Sequence, residues 1–542
     1  MTASLYDQAS RLHTLTPDGP LSEQHHEPVR PRSGGPDPVA LLKTFFADPG
    51  RSVQALHDAL QSCSGAAELP GILPDQARET GVWLVRRGIG SLPVETGLRL
   101  LMGRALPEDV PLVRTIGLLD RFGSLAVDVL AGIPGAAGAL TWLADRSRWP
   151  VREKVVESLC RIGDPDTFPW LLRADPGKHA LRIAETVSLA DLLESGAAVT
   201  VEAGRILQAL VSTQDYTVRL HEYADACRAV AGFAVRAETA EPELDLLASV
   251  ITMAHDLRAG HAACLPWPPG ERAVVLDRLE RLLVSPRWAP VVAEAAGSPD
   301  QMTRWRAEWA ARAGRPLPVG DGPLAVHAVA PDPASGEYVS TRVLVDGRPV
   351  VAEAFRVGGS FGPEALARVL AATEEPRETT LASAWCAEEC CGALRVTIVR
   401  EGDTVVWRDW LASGKAVLET FRFPAAHYDE TVARADRDRS WEWPAQSVAR
   451  ELDRLLEEDP GLLGAWQCVS DGAFARADAY DEVTVYFWSP GRPGDLPEGE
   501  PSLQFEWVIA VDGTDDLAVV VELLREVDPR TDAEVVGGSG PG

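Results

Sequence analysis

Cysteine is scarce in this sequence, eight residues in 542. Cys63, Cys160, Cys227, Cys264 and Cys468 are scattered singly through apolar contexts, which excludes a disulfide-stapled secreted scaffold and predicts buried free thiols in a reducing compartment. Long apolar runs are also missing. None approaches the roughly 20 residues that a bilayer helix needs, so no membrane partner is expected. The opening residues, MTASLYDQASRLHTLTPDGP, have no basic head followed by an apolar stretch and do not read as a secretory signal. The expected compartment is the cytoplasm. Other reactive signatures are absent as well: no HExxH, DFG or Walker pattern occurs, and the sequence nominates no catalytic residue and no cofactor.

Two groups of residues resemble ligand sets and fail on spacing. Cys386, Cys390 and Cys391 form a CxxxCC cluster in WCAEECCGA. A structural zinc site wants four ligands, usually as two spaced pairs, and no second CxxC or HxxxH pair exists. Adjacent cysteines on a strand also point to opposite faces, so no metal is expected there. His255, His261 and Cys264 in HDLRAGHAACLPW are not spaced i, i+4 on one face, and the segment reads as a surface turn.

What is abundant is acid, with a formal net charge of -28 that is unevenly spread. Residues 1 to 320 hold 33 Lys+Arg against 39 Asp+Glu, a net of -6, whereas residues 321 to 542 hold 19 against 41, a net of -22. Phosphate backbones are held by clustered Lys and Arg, so the C-terminal part repels nucleic acid. The charge serves solubility in the plainest reading, and in the alternative steers a partner with a basic surface.

At 46% apolar and 24% charged the composition is globular. Residues 1 to 37 carry Pro, Gly, Ser and His without periodicity and read as a disordered arm. From Pro38, apolar residues recur three and four apart, and helix follows helix to about Arg312. The most informative stretch is WPVREKVVESLCRIGDPDTFPWLL, residues 149 to 172. Val151, Val155, Val156 and Leu159 share one helical face, Gly163, Asp164 and Pro165 close that helix, and Phe168, Leu171 and Leu172 open a second apolar face.

This hairpin resembles the HEAT repeat, whose first helix carries a Val-Arg near its start, here Val151 and Arg152, and whose turn reads Gly-Asp-Pro. Upstream, PLVRTIGLLDRFGSLAVDVLAGI places Val113, Arg114 and Gly123 similarly. The steps from Arg114 to Arg152 and from Gly123 to Gly163 are close to the period of about 40 residues known for such repeats. A fainter copy places Arg78 and Gly88 one period earlier. The resemblance covers residues 75 to 175. It implies a stacked array in residues 38 to 313 that acts as a scaffold or binding surface, with Val113, Leu118, Val151, Val155 and Leu159 in a shared core.

GRPLPVGDGP, residues 314 to 323, is Pro- and Gly-rich and reads as a linker. Beyond it the period becomes alternating. TRVLVDGRPVVAEAF reads as a hairpin around Asp346 and Gly347, and RVTIVREGDTVVWRDW as a second one turning at Glu401, Gly402 and Asp403. DEVTVYFWS and SLQFEWVIAV read as a strand pair, and PAQSVARELDRLLEEDPGLL as an amphipathic helix. Hairpins interleaved with single helices imply an α+β domain with an antiparallel sheet over residues 324 to 535, followed by a tail over 536 to 542. The expected fold is thus multidomain, an all-α HEAT-like solenoid followed by that α+β domain. CAEECCGALRVTIVREGDTVVWRDW is similar to C-terminal segments of uncharacterised actinobacterial-type proteins, a likeness that carries no activity with it. The loop VGGSFGPEAL lacks phosphate-loop spacing and reads as a plain Gly-rich connection.

Tryptophan is the last excess, sixteen against seven tyrosines. Trp407 and Trp507 lie on alternating strands and are expected in the core. Trp441 and Trp443, in a loop before a helix, are the candidate binding residues, as exposed anchors for a protein interface. Together these features predict a non-enzymatic, protein-binding scaffold; the alternative is an enzyme with its site in the α+β domain or at the domain junction.

Overall fold

The computed structural model describes residues 3–18, 37–48, 50–63, 76–212, 218–320, 322–384, 392–412, 415–497, 500–512 and 516–539. Trp385 and the cluster Cys386, Cys390 and Cys391 lie outside the described residues. The chain forms two compact units, Met1–Ser188 and Leu189–Gly542.

The described part of the first unit is helical. It begins with a helix, Leu5–Leu15, where a disordered arm was expected over residues 1 to 37. Ser4 caps it by accepting from the Asp7 amide while Asp7 accepts from the Ser4 amide, a reciprocal capping box. The helices Ala77–Arg87 and Ser91–Leu101 then pair through two glycines: a Cβ on Gly81 would meet the Gly97 carbonyl oxygen at 2.8 Å, and one on Gly97 would meet that of Gly81 at 2.8 Å. Glycine lets these backbones touch. Val151–Ile162 ends at Gly163 in the left-handed conformation (φ 65°), Asp164 accepts from the Asp166 amide, and Pro165 begins the next turn. Each residue of the Gly-Asp-Pro turn therefore has its own backbone task.

Val113, Leu118, Val151, Val155 and Leu159 are all buried. The inferred copies nevertheless differ in register. Gly123 lies inside the helix Asp120–Ala131, where a Cβ would meet Val151 Cγ2 at 2.5 Å, whereas Gly163 terminates a helix. One glycine permits helix packing and the other permits a turn, so their sequence spacing does not make them equivalent.

The second unit combines the helices from Leu189–Ser195 to Gln301–Ala313 with three antiparallel sheets. The two units divide at Ser188, within the helical part of the chain, and the Pro-rich segment 314 to 323 lies inside the second unit. The helix Leu244–Ala259 is buried on nearly every side, as expected for a helix that is apolar all round. Arg306 grips the buried Asp332 through both carboxylate oxygens, and the Trp309 indole donates to the Ala330 carbonyl at 2.9 Å. The helices before the Pro-rich segment thus pack with the sheets after it.

The first sheet has strands β1 (Leu324–Val329), β2 (Ser340–Val345) and β3 (Arg348–Pro349). Asp346 and Gly347 both have positive φ, the primed turn their sequence demands. The second sheet runs through β4 (Gly359–Ser360), β5 (Arg377–Ser383), β6 (Ala393–Glu401), β7 (Thr404–Ala412) and β8 (Lys415–Ala416), with β9 (Phe421–Pro424) also paired to β7. Trp407 is its fully buried centre, packed edge-on to Phe423 and Tyr428. At Gly358 (φ 112°) a Cβ would meet the Ser383 carbonyl oxygen at 2.1 Å, so the glycines of VGGSFG allow strand β4 to approach β5. The third sheet has strand order β10 (Val469–Arg476), β11 (Ala479–Ser489), β12 (Ser502–Ala510) and β13 (Glu534–Ser539). Trp507 on β12 is buried. Strand β13 pairs with β12 over Ser502 to Glu506, so the expected tail from residue 536 begins as an edge strand.

Candidate functional site

A cleft of about 670 Å³ opens within the second unit. Its walls come from segments far apart in sequence: the turn at Gly362–Glu364, the end of the helix Ala425–Arg437 with the loop that follows it to Trp443, the helix Pro444–Glu458, and strands β10 and β11. The helix presents Gln446, Arg450, Asp453, Arg454 and Glu457 to it, three- and four-residue spacings that put polar side chains on one face. Its opposite face buries Val448, Leu452 and Leu456. Strand β10 adds Phe474, half exposed at the rim and edge-on to Tyr486 of β11 at 5.9 Å.

Charge in the cleft is unevenly satisfied. Buried Glu442 holds Arg439 at 3.2 Å and Arg450 at 2.8 Å. Arg450 also meets Glu451, Arg454 meets Glu451 and Glu458, and Arg476 meets Asp478. The lining guanidiniums are therefore matched by acids. The lining carboxylates Glu364, Asp436, Asp453 and Glu457 make no ion pair among the described residues. Glu364 accepts from Gln446 Nε2 at 2.7 Å and Asp453 from the Ala473 amide at 3.1 Å, both neutral donors. Loss of hydration among the walls pushes both carboxyls above their ordinary range, although the Glu364 residue as a whole is exposed; at Glu364 the Glu442 and Asp453 charges add to the rise and Arg439 offsets it, and at Asp453 Glu457 adds to it.

Trp441 and Trp443 border this cleft, but as buried groups, 5% and 2% exposed. This corrects the expectation of exposed anchors. The Trp441 indole donates to the Asp438 carbonyl at 3.0 Å. Trp443 lies parallel to Tyr480, centroids 4.7 Å apart and planes 4° apart, and Trp305 stacks with that tyrosine at 6.1 Å. The guanidinium of Arg312 sits over the Tyr480 ring at 5.4 Å. A loop before a helix was read as exposed because the partner ring, on β11, is distant in sequence.

His255, His261 and Cys264 do not form a surface turn. They belong to a polar seam between the helix Leu244–Ala259 and the first sheet. His255 Nε2 donates to the Arg315 carbonyl at 3.0 Å, and His261 packs edge-on to His221 at 5.7 Å. Asp256, 4% exposed, accepts from the Ala262 amide at 2.6 Å and lies 3.6 Å from Arg342. Gly260 makes room for that carboxylate, since a Cβ there would fall 1.9 Å from Asp256 Oδ1. Burial holds His221, His255 and His327 down to about 4 and His261 well below its ordinary value. Burial raises Cys264 to about 11, so it is a poor nucleophile. Among the described residues no group of three or more His, Cys, Asp or Glu is placed to hold a metal ion.

No described helix is long and apolar enough to cross a membrane. No protein-family model, curated protein or solved structure matches this chain.

Proposed function

We propose that the protein is a non-enzymatic binding protein whose acidic, aromatic-walled cleft receives a basic segment of a protein partner. The observation that carries this reading is the charge imbalance: the cleft's guanidiniums are already paired with acids, while Glu364, Asp436, Asp453 and Glu457 make no ion pair among the described residues. The C-terminal excess of -22 would draw such a partner in and repel nucleic acid. The paired helices of the first unit, which we read as HEAT-like, supply a second surface for the same partner. Titration of the full chain with an octalysine peptide tests this. Saturable binding that weakens with salt and drops at least ~10-fold in a Glu364→Gln/Asp453→Asn double variant supports it. Equal affinity for an octaglutamate peptide, or no loss in the double variant, overturns it.

One observation favours a second reading, an enzyme of the cleft: Glu364 and Asp453 are both shifted toward the protonated form, as a general acid would be. Under that reading the double variant loses turnover of a substrate while octalysine leaves the wild type unaffected.

A further inference from the structure

The chemistry of the cleft narrows the kind of cation it fits. Trp443 forms part of the wall and is 2% exposed, and its indole Nε1–H has no acceptor among the described residues. An indole nitrogen only donates, and a buried donor without an acceptor is costly, so a small movement of the ring that brings the N–H to an arriving oxygen relieves that cost. The same ring lies flat on Tyr480, and the fold already rests a guanidinium, that of Arg312, on that tyrosine. The cleft's own aromatic walls, Phe474 and Tyr486 beside Trp443, favour a planar, weakly hydrated guanidinium over a compact, strongly hydrated ammonium. Two carboxylates approached from different elements, Glu364 and Asp453, offer several acceptor oxygens, which matches a group with five N–H donors better than one with three.

Resting on the reading of the cleft as a basic-partner site, we infer that its occupant is an arginine side chain on an extended peptide, with a neighbouring backbone carbonyl accepting from the Trp443 indole. Glu364 and Asp453 hold the guanidinium from two sides, Phe474 and Tyr486 cover its stem, and Trp443 fixes the backbone. The ligand class is an arginine-bearing peptide segment, distinct from a free amine or a lysine-rich tail.

The test uses the full chain and three capped pentapeptides, Gly-Gly-Xaa-Gly-Gly with arginine, lysine or citrulline at the centre, compared by calorimetry. The arginine peptide is expected to bind about 10-fold tighter than the lysine peptide, and the citrulline peptide, which keeps the shape but not the charge, to lose binding. Trp443→Phe keeps a flat ring against Tyr480 and removes the N–H. It should weaken the arginine peptide by roughly 2- to 10-fold, the worth of one neutral hydrogen bond, and leave competition by guanidinium ion unchanged. Equal affinities for the arginine and lysine peptides overturn the guanidinium assignment while leaving the acidic-cleft reading intact. If neither cationic peptide binds, or citrulline binds equally well, the acidic-cleft reading falls too. Unchanged arginine affinity in Trp443→Phe overturns the carbonyl contact. Should that variant lose its cooperative melt, the wild-type Trp443 indole proton decides the point by NMR: a shift on adding the arginine peptide supports the contact, and no shift overturns it.

Discussion

The second unit has two polar interiors, and they are built in opposite ways. In the seam around His255 and Asp256, the main donors and acceptors come from the chain itself: the Arg315 carbonyl serves His255, the Ala262 amide serves Asp256, and Arg342 stands nearby. In the cleft, Glu364 and Asp453 have neutral donors and make no ion pair among the described residues. Burial holds the seam's histidines down and raises its Asp256, and in the cleft it raises Glu364 and Asp453. Internal pairing suits a joint that must stay closed, and unanswered charge suits a place that something else must complete.

The contrast breaks most sharply on Arg342. Arg342→Ala leaves Asp256 buried without its nearest cation and should destabilise the protein by about 3 kcal/mol, read by urea denaturation at neutral pH. A cost under about 0.5 kcal/mol would mean that Asp256 does not depend on this partner.

Acid gives the next effect. His221, His255, His261 and His327 have folded values below the unfolded one, so their contribution is present above about pH 6.5 and is lost as pH falls toward about 4. Between pH 7 and pH 5 the unfolding free energy should fall by on the order of 1 to 2 kcal/mol per imidazole for the most enclosed of them. His327→Gln should flatten part of that slope. A slope unchanged by this substitution would remove His327 from the account.

The smallest effect sharpens the comparison from the other side. Raised carboxyls contribute stability that is full below their unfolded values and is lost as pH rises through their folded ones. At pH 7.5, Glu364→Gln should therefore leave the melting temperature unchanged or slightly raised, while binding suffers. A loss of melting temperature in Glu364→Gln would place this residue among the structural groups.

Much of the architecture is legible in residue order because its causes are local. Periodicity marks the helices, Asp346-Gly347 forces its turn, Gly163-Asp164-Pro165 closes a helix, and alternation puts Trp407 and Trp507 inside. The Ser4/Asp7 capping box was also written locally, in SLYD, and identifies the first helix once an acidic N3 residue is counted with the cap. The cleft was not legible, because Glu364, Asp453 and Tyr486 meet only through packing between separate elements. Trp441 and Trp443 were picked out for the right neighbourhood on the wrong ground, since their burial depends on strand β11 and the loop from Asp438. His255 was misread because a helix apolar on all sides hides its polar members, and the two glycines of VVGGS disguised an edge strand as a tail.

The parallel contact of Trp443 with Tyr480 also has an optical consequence. Two aromatic chromophores held nearly parallel and stacked at van der Waals range couple their transition dipoles, and the coupling appears in the near-ultraviolet circular dichroism of the folded chain. Any occupant that tilts the indole by even a small angle changes the sign pattern or the amplitude of that band. The wall of the cleft is therefore its own chromophore, and its state can be followed in unlabelled protein.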